Sequence, residues 1–191
     1  MSNQIIAIIP ARYASTRFPG KPLAMLFGKP MIQWTYERTL ASGVFDSVLV
    51  ATDDERIAEC VRGWGGKVEM TASTHPTGTD RIWEVTQRYP EAKWVVNVQG
   101  DEPFIETEAL KALLQRCIER GEHVDVVTLM SRLTAVEEFA DPNTVKLVVQ
   151  QNGDVLYFSR SPIPCVREAA LEKRLVLPQR AYRHMGVYAY T

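Results

Sequence analysis

Apolar positions fall into short blocks along the chain, and the blocks alternate between strand-like and helix-like spacing. Ile5 to Ile9 is a continuous apolar run, the mark of a strand buried on both faces. Pro30 to Ala41 follows with helical spacing and ends ahead of Gly43, and Ser47 to Ala51 is a second apolar run. Thr52, Asp53, Asp54 and Glu55 then form a capping-box pattern before Ile57, Ala58 and Val61, with Gly63 in the stop position. Lys67 to Met70 predicts a short third strand, Thr79 to Tyr89 a helix, Trp94 to Gln99 a fourth strand, and Glu106 to Arg120 a helix stopped by Gly121. In that last helix Ala109, Leu110, Leu113, Leu114, Cys117 and Ile118 are expected to share one core-facing stripe.

Beyond residue 123 the pattern turns strand-rich. Val124 to Leu129, Thr144 to Gln150, Val155 to Phe158 and Tyr182 to Tyr190 read as strands, with Asn152-Gly153 as a hairpin turn. The expectation is an α/β fold: a mostly parallel, helix-flanked sheet over the first 120 residues, carrying an antiparallel, strand-rich extension. Residues 1–191 then form a single domain in two parts, 1–123 and 124–191. Ligands of such sheets sit beyond the carboxyl ends of the strands, which singles out residues 10–22, 52–54 and 99–104.

Composition removes several function classes. With 22 basic and 23 acidic residues and a formal charge of -1, there is no overall positive field, so neither nucleic acid nor an anionic membrane is an expected partner. Cys60, Cys117 and Cys165 are odd in number and lack a CxxC spacing, which argues against a disulfide framework or a zinc site and for a reducing cytoplasm. The apolar run at Ile5 is too short to span a bilayer. No GxGxxG follows the first strand, which disfavours a dinucleotide-binding oxidoreductase.

What remains is local chemistry. Residues 10–22 read P-A-R-Y-A-S-T-R-F-P-G-K-P and place Arg12, Arg17 and Lys21 directly after a buried strand. Forked guanidinium donors, an ammonium and turn N–H groups suit a polyphosphate, although a solvated basic loop fits the charges equally well. Gln99-Gly100-Asp101-Glu102-Pro103 ends the fourth strand, where its carboxylates meet such phosphates only through a divalent cation; an acidic turn before a proline is the plain alternative. Thr77-Gly78-Thr79-Asp80-Arg81 opens a helix, with donors for capping or for an anion or ribose.

The first of these segments resembles the signature loop of the sugar-acid cytidylyltransferases, and the form P-A-R-x-x-S-T-R-x-P-G-K-P is similar to their Kdo (3-deoxy-manno-octulosonate) branch. Ala51-Thr52-Asp53-Asp54, His75 to Arg81, Asn97 to Pro103, Phe158-Ser159-Arg160 and Arg183 to Tyr188 agree with that family in the same order, so the resemblance spans essentially the whole chain. It implies a nucleotide-diphospho-sugar transferase-like, Rossmann-like sheet, with 1–123 binding nucleotide and 124–191 serving sugar binding and homodimerisation. It implies CTP and Kdo as substrates, Mg²⁺ as cofactor, CMP-Kdo and pyrophosphate as products, and lipopolysaccharide biosynthesis as the setting.

Carried over by position, the resemblance assigns Pro10, Ala11, Arg12, Ser15, Arg17, Lys21, Thr77, Gly78, Thr79 and Gln99 to the nucleotide. Gln99, Arg160, His184 and Tyr188 go to the sugar, and Asp101 to the metal; Lys21, Arg12 and Asp101 carry the chemistry. His75 and His123 receive no role. Lys21-Pro22 favours Kdo over sialic acid, whereas an 8-amino analogue of Kdo stays open. Members of the family continue for several dozen residues past the position of Thr191, including a second metal-binding aspartate, so a CTP-binding protein inactive through truncation is the remaining alternative.

Overall fold

The computed structural model describes residues 4–14 and 18–191, the side chain of Glu122 excepted. The apolar run at the start forms β1 (Gln4–Ala11), and after it come a short 3-10 turn at Lys21–Leu23 and a small hairpin of β2 (Met25–Leu26) and β3 (Lys29–Pro30). Then α1 (Met31–Ala41) runs to a turn at Gly43, whose φ of 69° lies in the left-handed region that glycine tolerates. The chain continues through β4 (Ser47–Thr52), α2 (Glu55–Gly63), β5 (Val68–Met70), α3 (Gly78–Thr86), β6 (Ala92–Asn97) and α4 (Thr107–Arg120). After these come β7 (Val126–Arg132), α5 (Val136–Ala140), β8 (Lys146–Val149), β9 (Val155–Ser159), α6 (Arg167–Leu171) and β10 (Tyr182–Tyr190).

The chain divides into two compact units, Met1–Val127 with Val187–Thr191, and Thr128–Gly186. In the first, β1 lies between β4 and β6, with β5 outside β4, and all of these pairs are parallel. The end of β10 adds an antiparallel strand against β6, with Tyr188 opposite Asn97 and Tyr190 opposite Val95. Period-two alternation puts helices on both faces: Ile6 and Ile8 pack with Leu49, Ile82 and Val85 under α3, whereas Ile9 turns toward Ile32 of α1 beside Gly100. The expectation of a mostly parallel, helix-flanked sheet with antiparallel strands added is met.

In the second unit, β8 pairs antiparallel with β9 across the Asn152-Gly153 turn and with the start of β10, and Leu133, Phe139 and Ala181 form a small core. Three local expectations are corrected. The cap of α2 is Asp54 alone, which accepts from the Arg56 backbone N–H, and Gly63 stays inside the helix; the chain turns at Gly65 instead, with φ 81°. Ile118 is 70% exposed, because at about 100° per residue it lies roughly 80° round α4 from Leu110, at the margin of the buried stripe. The short helices α5 and α6 have too few residues to show a period.

Candidate active site

Strand order decides where the site forms. From β1 the chain moves outward to β4 and β5 on one side, then returns to β6 on the other, so the sheet reverses direction between β1 and β6. Loops leaving neighbouring strands at such a point diverge and open a crevice at their carboxyl ends. Here a cleft of about 430 Å³ lies there, and Pro10, Ala11, Arg12, Lys21, Gln99 and Asp101 line it. Ala14, Pro22, Met31 and Gly100 complete its lining. Gly100 carries no charge, yet it is what brings the two loops together: a Cβ there would stand 2.9 Å from the Pro10 carbonyl oxygen.

Lys21 opens the 3-10 turn that Gly20 caps in the left-handed region at φ 70°. Its Nζ donates to Asp101 Oδ2 at 2.6 Å across eighty residues of sequence, the two side chains being 38% and 52% exposed. Arg12 is exposed, and its Nη2 donates to the Pro76 carbonyl at 3.3 Å, which ties the loop after β1 to the start of α3. Gly78 brings that start close, since a Cβ there would lie 3.3 Å from the Pro10 ring. Thr77 caps α3: its hydroxyl accepts from the Asp80 N–H, and the Asp80 carboxylate accepts from the Thr77 N–H, so this hydroxyl is engaged in a capping box. Ser15 and Arg17 lie outside the described residues.

The other positions separate. Thr79 does not line this cleft; it borders a second, more apolar groove of about 450 Å³ with Trp83, Tyr89 and Tyr190. Tyr188 sits opposite Asn97 in the first unit, and Gln99 Nε2 donates to Asn97 Oδ1 at 3.2 Å. Burial, with the neighbouring Tyr190, raises the Tyr188 phenol above its ordinary range, so the hydroxyl stays neutral. Arg160 and His184 belong to the second unit. Arg160 Nη1 donates to the Pro142 carbonyl at 2.8 Å. His184 Nε2 lies 2.9 Å from the Thr128 hydroxyl, and its ring meets Phe158 edge-on with centroids 5.0 Å apart. Burial pushes the His184 imidazole below its ordinary range and favours the neutral ring.

Two buried cations had no role of their own in the sequence reading. Arg81, 2% exposed, pairs with Asp53 at 3.0 Å and donates to the Thr71 hydroxyl, locking α3 to the loops after β4 and β5. Lys146, fully buried in β8, donates to the carbonyls of Asp141, Thr144 and Arg160 at 2.9, 2.8 and 2.5 Å. Burial lowers its pKa, and Asp141 opposes that shift. Its signal was available, a lysine within the apolar run of β8, although nothing local names the carbonyls that receive it. Among the described residues, no group of three or more His, Cys, Asp or Glu side chains gathers as a metal site.

Comparison with known proteins narrows the family. The profile described as cytidylyltransferase matches residues 6–191. The 3-deoxy-manno-octulosonate cytidylyltransferase of Geobacter metallireducens is 50% identical over 98% of this chain and 74% of its own length. That of Acaryochloris marina is 49% identical over 97% of this chain and 73% of its own. Among solved structures, CMP:2-keto-3-deoxy-manno-octonic acid synthetase complexed with CTP superposes with a TM-score of 0.87 at 45% identity, over 98% of this chain and 73% of that one. The 4-diphosphocytidyl-2C-methyl-D-erythritol synthase of Anaerococcus prevotii, at 14% identity and a TM-score of 0.58, shares the fold only. At half identity along nearly its whole length, this chain belongs to the cytidylyltransferases, in the branch of the 3-deoxy-manno-octulosonate enzymes.

Proposed function

We propose that this chain transfers CMP from CTP to 3-deoxy-manno-octulosonate, releasing pyrophosphate and forming CMP-Kdo for lipopolysaccharide biosynthesis. The observation that carries the reading is the cleft at the reversal point of the sheet, which Arg12, Lys21 and Asp101 all line. The anomeric oxygen of the sugar bonds to the α-phosphorus while the bond to the bridging oxygen of the β-phosphate breaks, and the hydroxyl proton is lost. No covalent enzyme intermediate is needed.

Both reactants are anions, so charge must be neutralised before they can be aligned, and preorganised cations do most of the work. Arg12 and Lys21 supply that charge to the phosphates, as the family resemblance implies. Lys21 is satisfied by Asp101, and a triphosphate offers the ammonium stronger acceptors than one half-exposed carboxylate. Asp101 is then free, and a lone carboxylate on the cleft wall fits Mg²⁺, which takes one or two carboxylates and completes its shell with phosphate oxygens and water. Magnesium, when bound, supplies charge neutralisation at the reacting phosphate and eases deprotonation of the attacking hydroxyl.

Gln99, Tyr188, Arg160 and His184 are proposed for the sugar, as the family resemblance implies. The division of labour follows from charge: a neutral His184 serves as a hydrogen-bond partner for hydroxyls, leaving Arg160 as the cation for the sugar carboxylate. The exposed apolar strand β9, with Leu156 60% and Tyr157 61% exposed, supports homodimerisation through the second unit, which light scattering tests. Cys60, Cys117 and Cys165 are free thiols, which supports a cytoplasmic setting, and no helix among the described residues is long and apolar enough to cross a membrane.

The test is pyrophosphate release from CTP, Kdo and Mg²⁺, with 8-amino-Kdo as competitor. A chain that neither binds CTP nor releases pyrophosphate sinks the proposal.

A further inference from the structure

We propose that Tyr13 and Arg56, neither of which is among the residues lining the cleft, are positioning residues that set Lys21 for the nucleotide phosphates. Arg56 lies in the first turn of α2 and is held by the residue that caps that helix. Asp54 Oδ1 accepts from the Arg56 backbone N–H at 3.0 Å and from Nε at 2.9 Å, and Oδ2 accepts from Nη2 at 2.6 Å. Two donors of one guanidinium on the two oxygens of one carboxylate fix its plane as well as its place. That plane lies over the Tyr13 ring, with Cζ 3.3 Å from the ring centroid.

Tyr13 passes the constraint on. Its carbonyl accepts the Gly20 N–H at 2.9 Å, and Gly20 packs so closely on the ring that a Cβ would stand 3.0 Å from Cε2. Gly20 caps the turn that Lys21 opens, and the Gly20 carbonyl accepts from the Leu23 N–H at 2.8 Å. The backbone of Lys21 therefore inherits its position from the Tyr13 ring, and the ring from Arg56. The far end of this strut is rigid, because α2 buries Ile57, Ala58 and Val61. A cation that stabilises charge in a transition state must be held to within a fraction of an ångström, and an unbraced side chain is not held so.

The inference rests on the proposed CTP site, and the experiment keeps the two apart. CTP binding is measured by calorimetry with Mg²⁺ on the intact chain for the wild type, Arg56→Met, Tyr13→Leu, Tyr13→Phe and the Arg56→Met/Tyr13→Leu pair. A cation–π contact at an exposed site is worth about two- to fivefold in an equilibrium. Arg56→Met and Tyr13→Leu should each weaken CTP binding by about that factor. Tyr13→Phe should restore it, because the ring and not the hydroxyl meets Arg56. The pair should be no weaker than the worse single variant, since both remove one contact. In the pyrophosphate-release assay, KM for CTP should rise while KM for the sugar acid holds; a general structural loss would move both. Wild type that fails to bind CTP overturns the proposed function and the strut with it. Wild type that binds, with Arg56→Met binding as well, overturns the strut alone, as does a Tyr13→Phe variant as weak as Tyr13→Leu or a pair whose losses add in full.

Discussion

Replacing Lys21 with alanine separates its observed pairing with Asp101 from the role proposed for it at the phosphates. Lys21 pairs with Asp101 at 2.6 Å, but the side chains are 38% and 52% exposed, so water screens the pair and its net worth is at most about 1 kcal/mol. For a chain of 191 residues that is a fall of about 2–4 °C in the unfolding midpoint. Removing one preorganised cation from a developing charge costs on the order of 3 kcal/mol, and at about 1.4 kcal/mol per tenfold the turnover should drop by roughly two orders of magnitude. Thermal unfolding by circular dichroism reads the first quantity, and pyrophosphate release at saturating Kdo reads the second. A variant with activity within about threefold of wild type refutes the role given to Lys21. A midpoint drop much beyond 5 °C, with activity falling only in step with the folded fraction, would make the lysine structural.

Further outcomes follow from the same geometry. Asp101→Asn should raise the Mg²⁺ concentration needed for half-maximal rate, and an unchanged Mg²⁺ titration would remove Asp101 from the metal. Gly100→Ala forces a Cβ to 2.9 Å from a backbone oxygen that cannot rotate away, so it should cost about 1–3 kcal/mol in unfolding and weaken CTP binding; a variant as stable as wild type would show that the two loops separate freely. His184 has its pKa lowered from 6.5 by burial, so the unfolded chain binds this proton more readily, and the stability it contributes is full above about pH 6.5 and lost as pH falls toward the folded value. Denaturant titrations across that window should show a slope that His184→Gln reduces; an identical slope in the variant would mean that another group carries it.

Much of the fold is legible in the residues, because periodicity is a local property. The five-residue apolar run of β1, the stripe of Leu110, Leu113, Leu114 and Cys117, and the Asn152-Gly153 turn each fix an element without reference to anything distant. Helical spacing misleads at the margin, as Ile118 illustrates, since which edge of a stripe is covered depends on the neighbour and not on the helix. The cations of residues 10–22 and the carboxylate after β6 were visible as candidate chemistry for the same reason: their residue types follow directly on buried strands.

What the sequence determined by itself, then, is the order of strands and helices and which segments carry charge at strand ends. Only the tertiary structure decided who meets whom. Lys21 and Asp101 come together because β1 and β6 are neighbours and Gly100 admits the Pro10 carbonyl, whereas Thr79, two residues from the cap of its helix, borders a different groove. Arg81 and Lys146 are buried because partners far along the chain or in the backbone neutralise or satisfy them, the one condition under which a charge leaves water at tolerable cost. Local pattern sets what each segment can become; long-range pairing, which depends on strand order and on how closely backbones approach, sets which charges face one another.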